Sequence, residues 1–378
     1  MRRLGVGRRK GTGRRLGAGR RKGTGRWLGA VMTGALVAGA VLAACGGTAS
    51  GSSATPGTGS ARIAWIANTS FQSAPGDTIT PVDLPAGTVG SPVATASEPV
   101  AMAPADGGRE LVVANRGNDT LSVVSTVSGS VTATVTVGVE PDAVAVAPGG
   151  PKRAGIAFVA DFGADEVTPV ALGTMRAGRP IPVGQEPDAV AVAPATGGHP
   201  ALVLVADFGS DTVTPIDLTT MAPGTPVPVG QEPDALAVVP GTARHPALVL
   251  VADFGSDGVT PVDVPGLDAG AFVPTPGNPT GLAVGPDGTV WVAGGGTLTP
   301  LAVGGPAVSG AVGGPAVLTA GHAVSLPGVA EAVALDGGTT AWVALERGAV
   351  VPVDLATGHV GRVVPVGGRP ADIVVTPG

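Results

Sequence analysis

Tyrosine is absent from this chain, and six phenylalanines and four tryptophans are its only aromatic side chains. At 3% aromatic content, a ring-lined platform for sugar polymers is not expected. A single cysteine, Cys45, excludes an intrachain disulfide. Four histidines stand without Cys or His partners at metal-ligand spacing, which excludes the usual zinc constellations. His199 and His245 occupy equivalent loop positions in neighbouring repeats and read as repeat residues. No G-x-S-x-G, P-loop or dinucleotide fingerprint occurs, so no catalytic residue and no cofactor is assigned.

Glycine and proline are abundant instead, 63 and 37 of 378 residues, beside 44% hydrophobic residues. Turn formers at that density, with enough apolar residues for a core, predict an all-β chain of many short strands. The net charge of −6 hides two unlike parts. Residues 1–26 hold eleven of the 22 Lys and Arg and no acid; the remainder carries eleven basic residues against 28 acidic ones, a net charge of −17. An acidic body repels nucleic acid and favours cations or basic partners.

The N-terminus reads as an address. A duplicated basic stretch, "RRLGVGRRKGTG" and "RRLGAGRRKGTG", precedes the uncharged run "WLGAVMTGALVAGAVLAA" at 27–44. Cys45 follows "LAA" directly. This order is that of a secretory signal, and "LAAC" resembles the lipobox of bacterial lipoproteins, which implies cleavage at Cys45 and acylation of its sulfur. A transmembrane anchor is the competing reading, but eighteen apolar residues are marginal for a span. The expectation is therefore a signal peptide at 1–44, and a lipidated Cys45 with a flexible Gly/Ser tether at 45–60. The protein is placed on the extracytoplasmic side of a cell membrane.

Beyond 60 the chain repeats. "VADFG" recurs at 159–163, 205–209 and 251–255, a period of 46 residues. Asp-Phe-Gly is a protein-kinase signature, but no H-R-D segment accompanies it, and a fixed period marks a repeat architecture. Within 187–233, "DAVAVAP", "ALVLVAD", "TVTPIDL" and "TPVPVG" read as four strands separated by turns, one propeller blade. Blades open at about 99, 141, 187, 233, 279 and 330. Residues 62–84 supply second and third strands with no first strand ahead of them, and "PADIVVTPG" at 370–378 is a first strand with nothing after it. Joined, they make a seventh blade. The prediction is a seven-bladed β-propeller over 61–378, with the first blade closed by the C-terminal strand. Six of seven third strands contain proline (Pro81, Pro169, Pro215, Pro261, Pro300, Pro352), which predicts shortened pairing to the fourth strand.

The segment "VVANRGNDTLSVVSTVSGSVTATVTVGVEPDAVAVAP" at 112–148 resembles the YVTN-type β-propeller repeat in "NDTLSVV", "VTVG" and "P-x-A-V-A-V-x-P". The resemblance implies a non-enzymatic repeat protein of largely unassigned role. Asp161, Asp207 and Asp253 stand where that family has Asn, and no Tyr opens a second strand.

One constellation could carry chemistry. The connections into blades 3 to 5 hold Glu140 and Asp142, Glu186 and Asp188, Glu232 and Asp234; their second-to-third turns hold Asp161 and Asp165, Asp207 and Asp211, Asp253 and Asp257. Both sets fall on one face of a disc. They read either as turn chemistry copied by duplication or as an acidic face for a basic protein or a cation, with Ca2+ favoured over zinc by an all-oxygen set. The functional expectation is a lipid-anchored, monomeric binding or scaffold module rather than an enzyme; the alternative is a lactonase- or lyase-like propeller enzyme using the central funnel.

Overall fold

The computed structural model describes residues 62–69, 77–84, 86–150, 154–195, 198–241, 247–264, 266–304 and 317–377. The basic stretch, the apolar run, Cys45, the tether and His245 lie outside the described residues.

Seven antiparallel sheets form the seven blades of a β-propeller. Blade 3 shows the plan: Pro141–Ala147 is the inner strand, Ile156–Asp161 the second and Glu166–Ala171 the third; Arg176–Ala177 and Ile181–Pro182 form the outer edge. Blade 1 draws its second and third strands from Arg62–Thr69 and Thr78–Leu84, and its inner strand from Arg369–Pro377. Inner strands neighbour one another around the axis, and Arg369–Pro377 packs back on the inner strand of blade 2, Pro99–Ala105, closing the ring.

Alternation decides which face each residue serves. Phe158, Ala160 and Val167 of blade 3 pack against Val190, Val203 and Val205 of blade 4, so the core is a set of apolar seams between neighbouring blades. Small residues suit the crowded axis: Ala143, Ala145, Ala147 and Ala189 are all buried.

Proline shapes the rim. Pro169 has no N–H to donate, yet its carbonyl accepts from Gly178 N at 2.7 Å, and the outer strand breaks into two short pieces around that contact. The same contact joins Gly90 to Pro81, Gly224 to Pro215, Gly270 to Pro261, Gly321 to Pro300 and Gly361 to Pro352. Blade 2 has Val123 at this position and a continuous outer strand, Ser130–Thr136.

Candidate functional site

All seven inner strands carry a β-bulge one residue after their opening. In blade 3 Pro141 pairs with Asp161 and Ala143 with Ala160, leaving Asp142 without a cross-strand partner. The same register shift occurs in the other six blades. A bulge re-aims the extra residue. Around the ring these residues are Val100, Asp142, Asp188, Asp234, Thr280, Glu331 and Ala371, so four carboxylates converge at one end of the axis.

Two arginines serve the flanks of this set. Arg116, in the second-to-third turn of blade 2, places Nη1 3.2 Å from Asp142 Oδ2 and Nη2 3.8 Å from Glu140 Oε2. Its guanidinium lies 5.2 Å from the centroid of the Phe162 ring. Arg369 Nη2 lies 2.8 Å from Glu331 Oε1. Between them, Asp188 hydrogen-bonds to Asp142. Asp188 Oδ1 and both carboxyl oxygens of Asp234 are buried without a hydrogen-bond partner.

Burial dominates the electrostatics. It pushes Asp142 up to about 6 against the pull of Arg116, and Glu331 up to about 7 against the pull of Arg369. Asp188 and Asp234 are held well above the usual carboxylate range, first by burial and then by neighbouring carboxylates: Asp142 and Asp234 for the former, Glu331, Asp142 and Glu232 for the latter. Asp188 therefore keeps its proton where Asp142 has lost it, and donates to Asp142. The axial end holds an acid beside a base.

The twelve carboxylates expected on one acidic face divide into three groups. Asp142, Asp188 and Asp234 form the axial cluster. Asp165, Asp211 and Asp257 are exposed in left-handed conformations with φ of 55° to 57°. The carboxylates of Asp165 and Asp211 accept from Glu186 N and Glu232 N at 2.9 Å, clasping the connection into the next blade. Glu140, Glu186 and Glu232 are themselves left-handed, with φ of 51° to 52°; Glu140 is half-buried and the other two are exposed.

Asp161, Asp207 and Asp253 depart from the sequence expectation. They are fully buried inside the blades and belong to no surface. Asp161 accepts from Gly138 N at 3.1 Å and Thr168 Oγ1 at 2.5 Å; Asp207 accepts from Gly184 N at 2.9 Å and Thr214 Oγ1 at 2.6 Å. The position ends the second strand, whose side chain turns inward toward the third. The glycine of Asp-Phe-Gly answers to packing rather than to turn geometry. Gly163 has no left-handed φ; a Cβ there would come within 2.9 Å of Val139 Cγ1, because its N–H donates to Val139 O at 3.0 Å.

Among the described residues no group of three or more His, Cys, Asp or Glu is placed to hold a metal ion. The sequence reading missed Glu331, Arg116 and Arg369. Glu331 follows Ala330 rather than a blade-opening proline; aligning the residue after each blade opening would have found it.

Scans against protein-family models and curated proteins find no match. Solved structures of the same fold are numerous. A Pseudomonas aeruginosa periplasmic gluconolactonase is 19% identical with a TM-score of 0.62, covering 84% of this chain and 99% of its own. A putative 6-phosphogluconolactonase from Bacteroides fragilis is 14% identical with a TM-score of 0.62, covering 84% and 98%. A Desulfotomaculum acetoxidans protein of unknown function is 15% identical with a TM-score of 0.69, covering 83% and 98%. At these identities the likeness establishes the fold. It also corrects the expectation of a non-enzymatic protein, since propellers named as lactonases stand among those that share this architecture.

Proposed function

We propose that this chain is a propeller hydrolase of small cyclic esters, acting where Asp142 and Asp188 meet at the axis and tethered outside a cell membrane through Cys45. The observation that carries the hydrolase reading is two buried carboxyl groups, Asp142 and Asp188, side by side with the Arg116 guanidinium 3.2 Å from Asp142. Opening a lactone with water requires a base for the water proton, positive charge near the carbonyl oxygen and an acid for the departing alkoxide. Asp142 is the base, with its burial-raised value of about 6. Arg116, 3.2 Å from Asp142, brings the positive charge. Asp188 gives its proton to the ring oxygen as the acyl C–O bond breaks, while the water oxygen bonds to the carbonyl carbon. The lactonase names among structures of this fold support the choice of substrate. The tether reading is supported by the basic stretch, the apolar run and "LAAC".

The test is proton release from gluconolactone and 6-phosphogluconolactone at fixed pH by the purified protein. Turnover rises as pH passes about 6, and Asp142→Asn loses about a hundredfold or more with an unchanged circular dichroism spectrum. Lactones that open no faster than in buffer, or an Asp142→Asn variant of undiminished rate, overturn the hydrolase reading. Cys45→Ala leaves an unprocessed precursor; a variant that still matures and sediments with membranes overturns the tether.

A further inference from the structure

The axial cluster already binds cations of its own making. The guanidinium of Arg116 sits on Asp142 and that of Arg369 on Glu331, at the two flanks of the set. Asp234 lies between them at the same bulge position and is fully buried, yet neither of its carboxyl oxygens has a partner. A buried carboxyl without a partner is costly even when protonated, and it can ionise only if a cation arrives to pair with it. The repeat explains the omission. The residue after the second strand is Arg116 in blade 2, and it serves the carboxylate of blade 3. The same position in blade 4, preceding the blade of Asp234, holds Phe208. Arg116 is the exception at this position, which holds Phe162, Phe208 and Phe254 in blades 3 to 5, so no guanidinium reaches Asp234 from the preceding blade as one reaches Asp142.

We infer that Asp234 is the floor of a subsite for an organic cation, an ammonium or guanidinium group at the tip of a flexible stem, with Glu232 at the entrance and Phe208 beside it. Glu232 is exposed, and its charge is felt at Asp234. The surface nearest Asp234 in the chain, two residues before it, is therefore acidic. The Phe208 ring adds the affinity of an aromatic face for a cation. Repeat equivalence supplies the route: the Arg116 side chain is 13% exposed while its tip reaches the buried Asp142, and a stem entering beside Phe208 would follow the same path to Asp234. An organic cation fits better than a metal ion, because no three carboxylates among the described residues approach closely enough to cage one. The cation site rests on the buried, unpartnered Asp234 and the repeat equivalence of Phe208 with Arg116. Its use as a substrate subsite rests on the hydrolase reading, and there it selects lactones bearing a positive group and disfavours phosphorylated ones.

The experiment measures thermal unfolding of the full mature chain with n-butylguanidinium, n-butylammonium, an arginine-rich peptide or calcium chloride. The organic cations raise the midpoint by mass action. Asp234→Asn, an isosteric change, weakens the half-saturating concentration about tenfold or more, as expected for loss of a charged hydrogen-bond partner. Glu232→Gln, on the surface, weakens it by a smaller factor. Asp161→Asn, inside a blade, leaves it unchanged. A response to the peptide but not to the small cations identifies a protein side chain as the source; the reverse identifies a free small molecule. Equal shifts in wild type and Asp234→Asn, no shift with any organic cation, or a shift with calcium chloride alone each overturn the subsite. In the hydrolase assay, a γ-butyrolactone bearing an aminobutyl chain is opened faster than one bearing an uncharged butyl chain, and Asp234→Asn abolishes the preference. Cation binding without any turnover leaves the subsite standing and removes the hydrolase reading. Turnover without any cation response does the opposite.

Discussion

Replacing Asp161 with Asn changes the sign of its effect on stability between acid and neutral pH. Burial lifts the Asp161 carboxyl from its ordinary 3.8 to about 7, against the hydrogen bonds from Thr168 and Gly138. Between those values the folded protein holds a proton that the unfolded chain has released. Stability is therefore fully present below about 3.8 and is lost as pH rises toward 7. Each pH unit across that interval removes about 1.4 kcal/mol, so ionisation subtracts on the order of 4 kcal/mol by pH 8. Asn at this position has precedents in the same chain. Asn115 Nδ2 donates to Ser122 Oγ at 3.0 Å while its Oδ1 accepts from Ala96 N, and Asn68 Nδ2 donates to Thr80 Oγ1 at 2.8 Å. Thr168 must then accept where it now donates, which costs about 1 kcal/mol. Asp161→Asn is thus about 1 kcal/mol less stable than wild type near pH 3 and roughly 3 kcal/mol more stable at pH 8, crossing near pH 4.5. Urea unfolding across that range, with unchanged m-values, measures the difference. A variant destabilised equally at both ends would show that Asp161 is ionised and well solvated in the folded state, and would refute the reasoning.

Two other outcomes follow from the packing. Removing residues 369–378 strips blade 1 of its inner strand and exposes the partners of Ala371, Ile373 and Val374, all buried; at about 1.5–3 kcal/mol for each large apolar side chain, cooperative thermal unfolding should vanish, and a truncated chain melting like the full one would contradict ring closure. Gly138→Ala drives a Cβ to within 2.5 Å of the Asp161 carboxyl carbon, whereas Gly150→Ala meets nothing within 4 Å, so the first should lose about 1–3 kcal/mol and the second almost nothing; equal midpoints in urea would refute the Gly138–Asp161 packing.

Blade number and closure were legible because a 46-residue period is a long-range signal carried by many residues at once. The orphan strands at 62–84 and 370–378 complete one another on inspection. The broken outer strands were legible too, since proline's missing N–H is a covalent fact. The axial cluster was not. Which residue of "PDAVAV" meets the axis depends on a register shift between strands, and nothing local in the inner strand announces it. Asp161 misled for a related reason: an Asp before Phe-Gly looks like a turn residue, while its partner Thr168 lies seven residues on, across a hairpin. The signal was present in the repeat itself, where Asn68 and Asn115 occupy the same position.

Ring closure also sets an order in time. Arg62–Thr69 is the first described strand to be synthesised, and one of its two neighbours is Arg369–Pro377. Until the final residues have been made, that strand can pair only with Thr78–Leu84, and the ring of inner strands has a gap beside blade 2. Each middle blade can assemble its own sheet as it emerges, because its four strands are consecutive. Blade 1 cannot. The first described strand must wait through some three hundred residues of synthesis, so native assembly is tied to the making of Arg369–Pro377, and any product cut short before it lacks the same strand.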